Sequence, residues 1–248
     1  MNRIKILVLA GMALWGCKAE ISNNNTTGKV NFAVSHRMNG APLVINAPFS
    51  TALGEPFTPL AFSYYISNIK LVDMEGKTIS QGANYFLVDE RKPLSKSFVA
   101  ALPAGTYKAV KFTIGVDSMR NVSGIQTGAL DPANGMFWSW NTGYIFAKLE
   151  GKSVVSTAPL SNVTYHIGGF RTGESALQEV TLDLPEPLFI KTSGSATLRL
   201  EADVAKWFAG AHNISIAKDA FCMDPGPLAQ HIAENYAGMF TITAVENQ

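Results

Sequence analysis

Soft-metal and redox chemistry in this 248-residue chain would have to come from its histidines, sulfur side chains and tryptophans. Each is scarce enough to be weighed singly, with four His, two Cys, eight Met and four Trp. His36 follows Val30, Phe32 and Val34 at period two, with Met38 next in the same series. Imidazole and thioether therefore share one otherwise apolar strand face, and that donor pair suits Cu(I). The plainer reading is a histidine at the edge of the core, bonded to a backbone carbonyl because a buried polar ring needs a partner. His166 lies in Tyr165-His166-Ile167-Gly168-Gly169-Phe170. Alternation points it away from Val163, Tyr165 and Ile167, and the two glycines let a backbone or a ligand come close. A surface histidine beside a bulge would look the same. His212, in a loop after Gly210, and His231, off the apolar stripe of a helix, read as solvated.

Trp138-Ser139-Trp140 places two indoles on one side of an extended segment. Paired aromatics can be core, a sugar-stacking platform or a metal environment. An intact indole N–H only donates, so it is no σ-ligand, but its π face can hold a cation. Met136 adds a thioether two residues upstream. The whole stretch from Asp117 to Gly143 fits no regular element, and long loops in compact domains are commonly functional. Its Asp117, Asp131, Asn134 and Asn141 are oxygen donors of the kind Ca²⁺ takes, although turn chemistry uses the same residue types. The chain has no G-x-S-x-G elbow, P-loop, H-E-x-x-H helix or paired-Cys metal motif. A binding protein is therefore expected rather than an enzyme.

The elements that must position these groups are mostly strands. Period-two runs occur at Val30–Met38, Ala61–Val72, Tyr85–Asp89, Tyr107–Val116, Phe146–Leu149, Val163–Ile167, Val180–Leu184, Ala196–Val204 and Phe240–Val245. Asp203 can cap a short helical stretch through Phe208. Pro227 to Ala237 reads as the one clear helix, with Pro at its start, a Leu228-Ile232-Tyr236 stripe and Gly238 at its end. Many short strands separated by turn signals predict a mainly β domain of two-sheet, β-sandwich-like form, with long loops and a short C-terminal helix.

The N-terminus is of another kind. Arg3 and Lys5 precede an apolar run from Ile6 to Trp15, too short to span a bilayer. It ends in Leu14-Trp15-Gly16-Cys17, the pattern of a bacterial lipobox, in which the cysteine is acylated and becomes the first mature residue. This predicts a leader over 1–16, a lipidated Cys17 with a flexible polar tether over 17–28, and a single domain over 29–248. Lys18 in place of Asp predicts the outer membrane, facing the periplasm or the cell surface. With Cys17 acylated, Cys222 has no intrachain partner and is expected to be a buried thiol. Formal charge falls from +1 to about −1 when Arg3 and Lys5 leave, with no basic run, which argues against a nucleic-acid partner.

Several segments together resemble one family. Gly115-Val116-Asp117, Asn121-Val122-Ser123-Gly124, Gly128-Ala129-Leu130-Asp131-Pro132 and Gly135-Met136-Phe137-Trp138-Ser139-Trp140-Asn141-Thr142-Gly143-Tyr144 are similar to the central signature of the MbnP-like family, methanobactin-associated periplasmic proteins and their relatives. Tyr65-Ile66-Ser67-Asn68-Ile69, Lys148-Leu149-Glu150-Gly151, His166-Ile167-Gly168-Gly169 and Ile232-Ala233-Glu234-Asn235 extend the likeness over nearly the whole domain. The resemblance implies extracytoplasmic copper binding by histidines together with kynurenine, a tryptophan oxidation product whose aryl amine can bind Cu(I). It also implies a partner dihaem enzyme of the peroxidase type as oxidant. Carried over, Trp138 or Trp140 is the modified residue, and His36 and His166 are the imidazole ligands. Some relatives set a histidine next to the modified residue; here none occurs between Asp117 and Tyr165. The rival expectation is a tethered surface module in which Trp138 and Trp140 stack on a glycan or a protein partner and no metal is bound.

Overall fold

A computed structural model describes residues 26–139 and 143–247. Cys17, Trp140 and Asn141 lie outside those residues. The chain folds into two β-sheets with little helix. The strands in order are β1 (Thr27–Met38), β2 (Ala41–Pro42), β3 (Phe49–Ser50), β4 (Pro56–Asp73), β5 (Thr78–Ser80), β6 (Tyr85–Asp89), β7 (Ser97–Pro103) and β8 (Gly105–Ile114). Then follow β9 (Phe137–Trp138), β10 (Gly143–Lys152), β11 (Asn162–Gly168), β12 (Gln178–Ile190), β13 (Ser195–Asp203), β14 (Phe221–Cys222) and β15 (Phe240–Asn247). Helix α1 (Ser118–Asn121) is a single turn, and α2 (Pro227–Ala237) is the C-terminal helix.

The smaller sheet runs β15-β13-β1-β2, with β7 also on β1; β1 and β13 are parallel. The larger runs β12-β8-β4-β10-β11-β14, and β3, β5 and β6 also pair with β4 while β9 pairs with β10. The two sheets bury their facing sides against each other. Phe240 of β15 meets Tyr64 of β4 at 5.4 Å and Phe112 of β8 at 5.2 Å between ring centroids. Phe98 of β7 stacks on both Phe32 and Phe86. Such aromatic pairs add to the burial of apolar area that drives the collapse.

The period-two reading of β1 holds through its length: Val30, Phe32, Val34, His36 and Met38 are all buried. Helix α2 spans Pro227 to Ala237 with Gly238 after it, as its start and stop signals require. Asp203 caps a 3-10 turn, Val204–Trp207, by accepting from the Ala205 N–H at 3.0 Å. Strand β12 is longer than its periodicity suggested. A register break between Asp183 and Leu188 carries Pro185 and Pro187 past the ladder, since neither can donate to it.

Candidate metal centre

The candidate ligands fall on two sides of the larger sheet. His36 reaches across from β1 into the space between the sheets. Its Nδ1 lies 2.5 Å from Glu90 Oε2 and its Nε2 lies 2.8 Å from the Tyr64 hydroxyl. Phe62 stands edge-on to the ring at 4.9 Å. Burial lowers the His36 pKa, outweighing the bond and charge of Glu90, so the ring is neutral near pH 7. A neutral ring with an ionised Glu90 donates from Nδ1 and accepts the Tyr64 hydroxyl at Nε2. Both nitrogens are then committed, and the core-edge reading of His36 describes its surroundings, with side chains rather than a carbonyl as partners. Met38 follows on the same face, fully buried.

Strand register places His166 on the other side. Tyr64 pairs with Ala147, whereas His166 pairs with Lys148, which pairs in turn with Ser63 and then Asp89. Directly paired residues share a face and neighbours along a strand do not. His166 therefore points away from the inter-sheet core that holds His36. The structure does not bring the two imidazoles into one site, because 36 belongs to the Tyr64 row and 166 to the Ser63 row.

A different set does come together. His166 is 9% exposed, and its Nε2 lies 2.7 Å from Glu150 Oε1. Its Nδ1 is buried and has no hydrogen-bond partner among the described residues. Gly168, two residues on and so on the same face, carries the edge of the Trp138 indole: a Cβ built there would lie 2.7 Å from Cη2 and Cζ3 of that ring. Strand β9 pairs Trp138 with Gly143, and the Ile145 N–H donates to the Met136 carbonyl at 3.0 Å. Alternation leaves Phe137 partly exposed and buries Met136 and Trp138. Lys148, directly opposite His166, donates to the Gly135 carbonyl at 2.7 Å, which draws this arm over the same face. The Trp138 ring is thus brought against Gly168, two residues from His166, where β9, β10 and β11 meet, with Met136 buried just before β9.

The charges around them are organised. The hydrogen bond from His166 and the nearby Lys148 hold the Glu150 carboxyl below its usual range against the opposing effect of burial. Burial in turn lowers the Lys148 amine. Trp138 is only 3% exposed, so its ring faces are not available as a sugar-stacking platform. Among the described residues no three of His, Cys, Asp and Glu are grouped as metal ligands. A metal here would need soft or unusual donors beside the one imidazole. For copper the fit is therefore divided. His166 offers a buried nitrogen with no partner among the described residues, on the strand whose Gly168 carries the Trp138 ring, while His36 could bind only by giving up Glu90 or Tyr64.

Asp117, Asp131 and Asn134 serve caps and turns, while Asn141 lies outside the described residues. Asp117 caps α1 by accepting from the Arg120 N–H at 3.1 Å and also takes the Tyr85 hydroxyl and Asn68 Nδ2. Asp131 accepts from the Ala133 N–H at 2.8 Å, and Asn134 donates to the Gly128 and Ala129 carbonyls. Asn121, marked in the sequence only as part of the family-like segment, ties this loop down: Nδ2 donates to the Val116 carbonyl at 2.6 Å and Oδ1 accepts from the Tyr144 N–H at 2.9 Å. Glu150, Glu90 and Tyr64 were also not foreseen as partners of the histidines. Cys222 is buried, its thiol pushed up to about 12 chiefly by that burial. His212 and His231 stack at 3.9 Å on the surface, with His212 Nε2 at 2.5 Å from Glu234.

The family model for MbnP matches residues 27–224. A solved structure, MbnP from Methylosinus trichosporium, superposes with a TM-score of 0.54 at 20% identity, covering 76% of this chain and 80% of its own. At that identity the likeness establishes the fold. No curated protein sequence matches the chain.

Proposed function

Because the chain belongs to the MbnP family, we propose that it is an exported, lipid-anchored copper-binding protein that holds Cu(I) through His166, on the strand whose Gly168 carries the Trp138 ring. The observation that carries this is the buried His166 Nδ1, which has no hydrogen-bond partner among the described residues. An unsatisfied buried polar atom costs about 1–3 kcal/mol, and a ligand that uses its lone pair removes that cost. Bound copper would supply a soft Lewis acid that prefers imidazole, thioether and aryl amine to oxygen donors. The chain's part is to bind and to buffer or deliver the ion rather than to turn over a substrate. Met136 is the candidate thioether. Trp138, oxidised to kynurenine by a dihaem partner of the peroxidase type, is the candidate aryl amine.

Copper loading settles the first point. The mature protein, loaded anaerobically with Cu(I) and assayed by mass spectrometry and competition with a chromogenic chelator, should bind tightly. His166→Ala should weaken it at least tenfold, and His36→Gln should not, provided the fold persists. An unchanged affinity in His166→Ala ends the assignment. Co-expression with the oxidant should raise the intact mass by about 4 Da, an oxygen gained and a carbon lost, and Trp138→Phe should abolish that increment.

A further inference from the structure

We propose that Glu150 is the positioning residue that makes Nδ1, and not Nε2, the metal-binding nitrogen of His166; this rests on the copper reading above. Glu150 Oε1 lies 2.7 Å from Nε2, and an ionised carboxylate can only accept. In the neutral form of the ring the proton therefore sits on Nε2, which leaves the buried Nδ1 with its lone pair free. That nitrogen has no partner among the described residues. Lys148, directly opposite His166, donates to the Gly135 carbonyl at 2.7 Å and lies 4.0 Å from Glu150 Oε1, with no bond to His166 Nδ1.

Direction follows from the strand. Glu150 and Lys148 lie on one face of β10, with Glu150 farther toward the C-terminal end and Gly143 and Ile145 at the other. The two nitrogens of an imidazole diverge, so fastening Nε2 toward Glu150 turns Nδ1 away from it. Away from Glu150 along β10 lies the Met136–Trp138 arm, paired to Gly143 and Tyr144. A carboxylate on the far nitrogen of a ligating histidine fixes its tautomer and raises its basicity, and losing it typically weakens metal binding 10–100-fold.

His36 is the internal contrast. Its carboxylate, Glu90, is on Nδ1 and a hydroxyl closes Nε2. The same two residue types thus give one histidine with no nitrogen to spare and another with one nitrogen held open.

Nitrogen-15 NMR of the metal-free protein at neutral pH reads the tautomer directly. We expect His166 to be the Nε2–H form, and Glu150→Ala to convert it to a mixture or to the Nδ1–H form. Cu(I) affinity should fall about 10–100-fold in the same variant. Glu150→Gln, whose carbonyl oxygen can still accept, should recover part of both and serves if Glu150→Ala does not fold. A wild-type Nδ1–H tautomer, or a Glu150→Ala protein with tautomer and affinity intact, overturns the role of Glu150 while leaving copper binding standing. Undiminished copper binding by His166→Ala removes the copper reading instead, and the tautomer measurement still decides the rest.

Discussion

Two histidines, each bonded to a glutamate, differ in the other ring nitrogen: His36 Nε2 meets the Tyr64 hydroxyl, and His166 Nδ1 has no partner among the described residues. His36 is held neutral by burial, and Glu90 is held below its usual carboxylate range, the bonds and charges of His36 and Lys96 outweighing burial. Both shifts run the same way with pH. Because the folded His36 pKa lies under 6.5, the unfolded chain takes up that proton first as pH falls. Stability from this source is complete above about 6.5 and is lost on acidification through it. Glu90 adds a second loss as pH falls below about 4.5, where the unfolded carboxyl protonates ahead of the folded one. Urea midpoints should drop between pH 7 and pH 5, and His36→Gln, less stable at pH 7, should show a flatter profile. An equal wild-type midpoint at the two values would contradict this. Tyr64→Phe removes the hydroxyl from His36 Nε2 and leaves a buried acceptor, at a cost of about 1–3 kcal/mol in the same urea titration.

At the scale of the element, the site depends on how closely β9 can lie on the β10–β11 pair. Gly168 makes room for the Trp138 ring: an added Cβ would also stand 2.6 Å from the Tyr144 carbonyl oxygen. Backbone cannot yield as a flexible side chain does. Gly168→Ala should therefore cost about 1–3 kcal/mol in chemical denaturation and weaken copper binding by displacing the indole. A variant with wild-type stability and affinity would show that the contact is loose. Asn121 clamps the preceding loop to β10, and Asn121→Ala should speed hydrogen exchange at the Tyr144 amide, which its Oδ1 accepts. Much of this level was legible in the sequence: the alternation of β1, the bounds of α2 and the Asp203 cap are all local signals. The Trp138 hairpin and His166 were marked by residue type and by the glycines beside them. What was not legible is pairing. Nothing in the period of β11 says that Lys148 lies across from His166 or that Glu150 is within reach of it. Nor does the period of β1 reveal that a strand 165 residues along, through Ser35 to Leu200, runs parallel to it. Placing His36 and His166 in one site failed for that reason, since the face of each strand was readable but the relation between strands was not.

At the scale of the whole molecule, the entry of the chain and the candidate site lie at opposite ends of the larger sheet. Thr27 pairs with Pro103 and the Thr26 carbonyl accepts from the Ala104 N–H, so the domain begins beside the Gly105 end of β8. The Asp117–Gly143 loop leaves from the other end, where the Gly115 N–H bonds to the Tyr65 carbonyl and Asn121 fastens the loop to Tyr144. Ten residues of β8 separate the two, about 33 Å at the rise of an antiparallel strand. A lipid on Cys17 would therefore attach on the side of the domain away from the Trp138 loop. Anchor and site should then be separable. Cys17→Ser should move the protein from the membrane fraction to the soluble fraction and abolish labelling by a fatty-acid probe. The released domain should keep the copper affinity of the anchored form measured in detergent. Loss of copper binding on release would mean that the anchored end contributes to the site, contrary to the separation set by β8; membrane retention of Cys17→Ser would mean that the chain is held by something other than its lipobox cysteine.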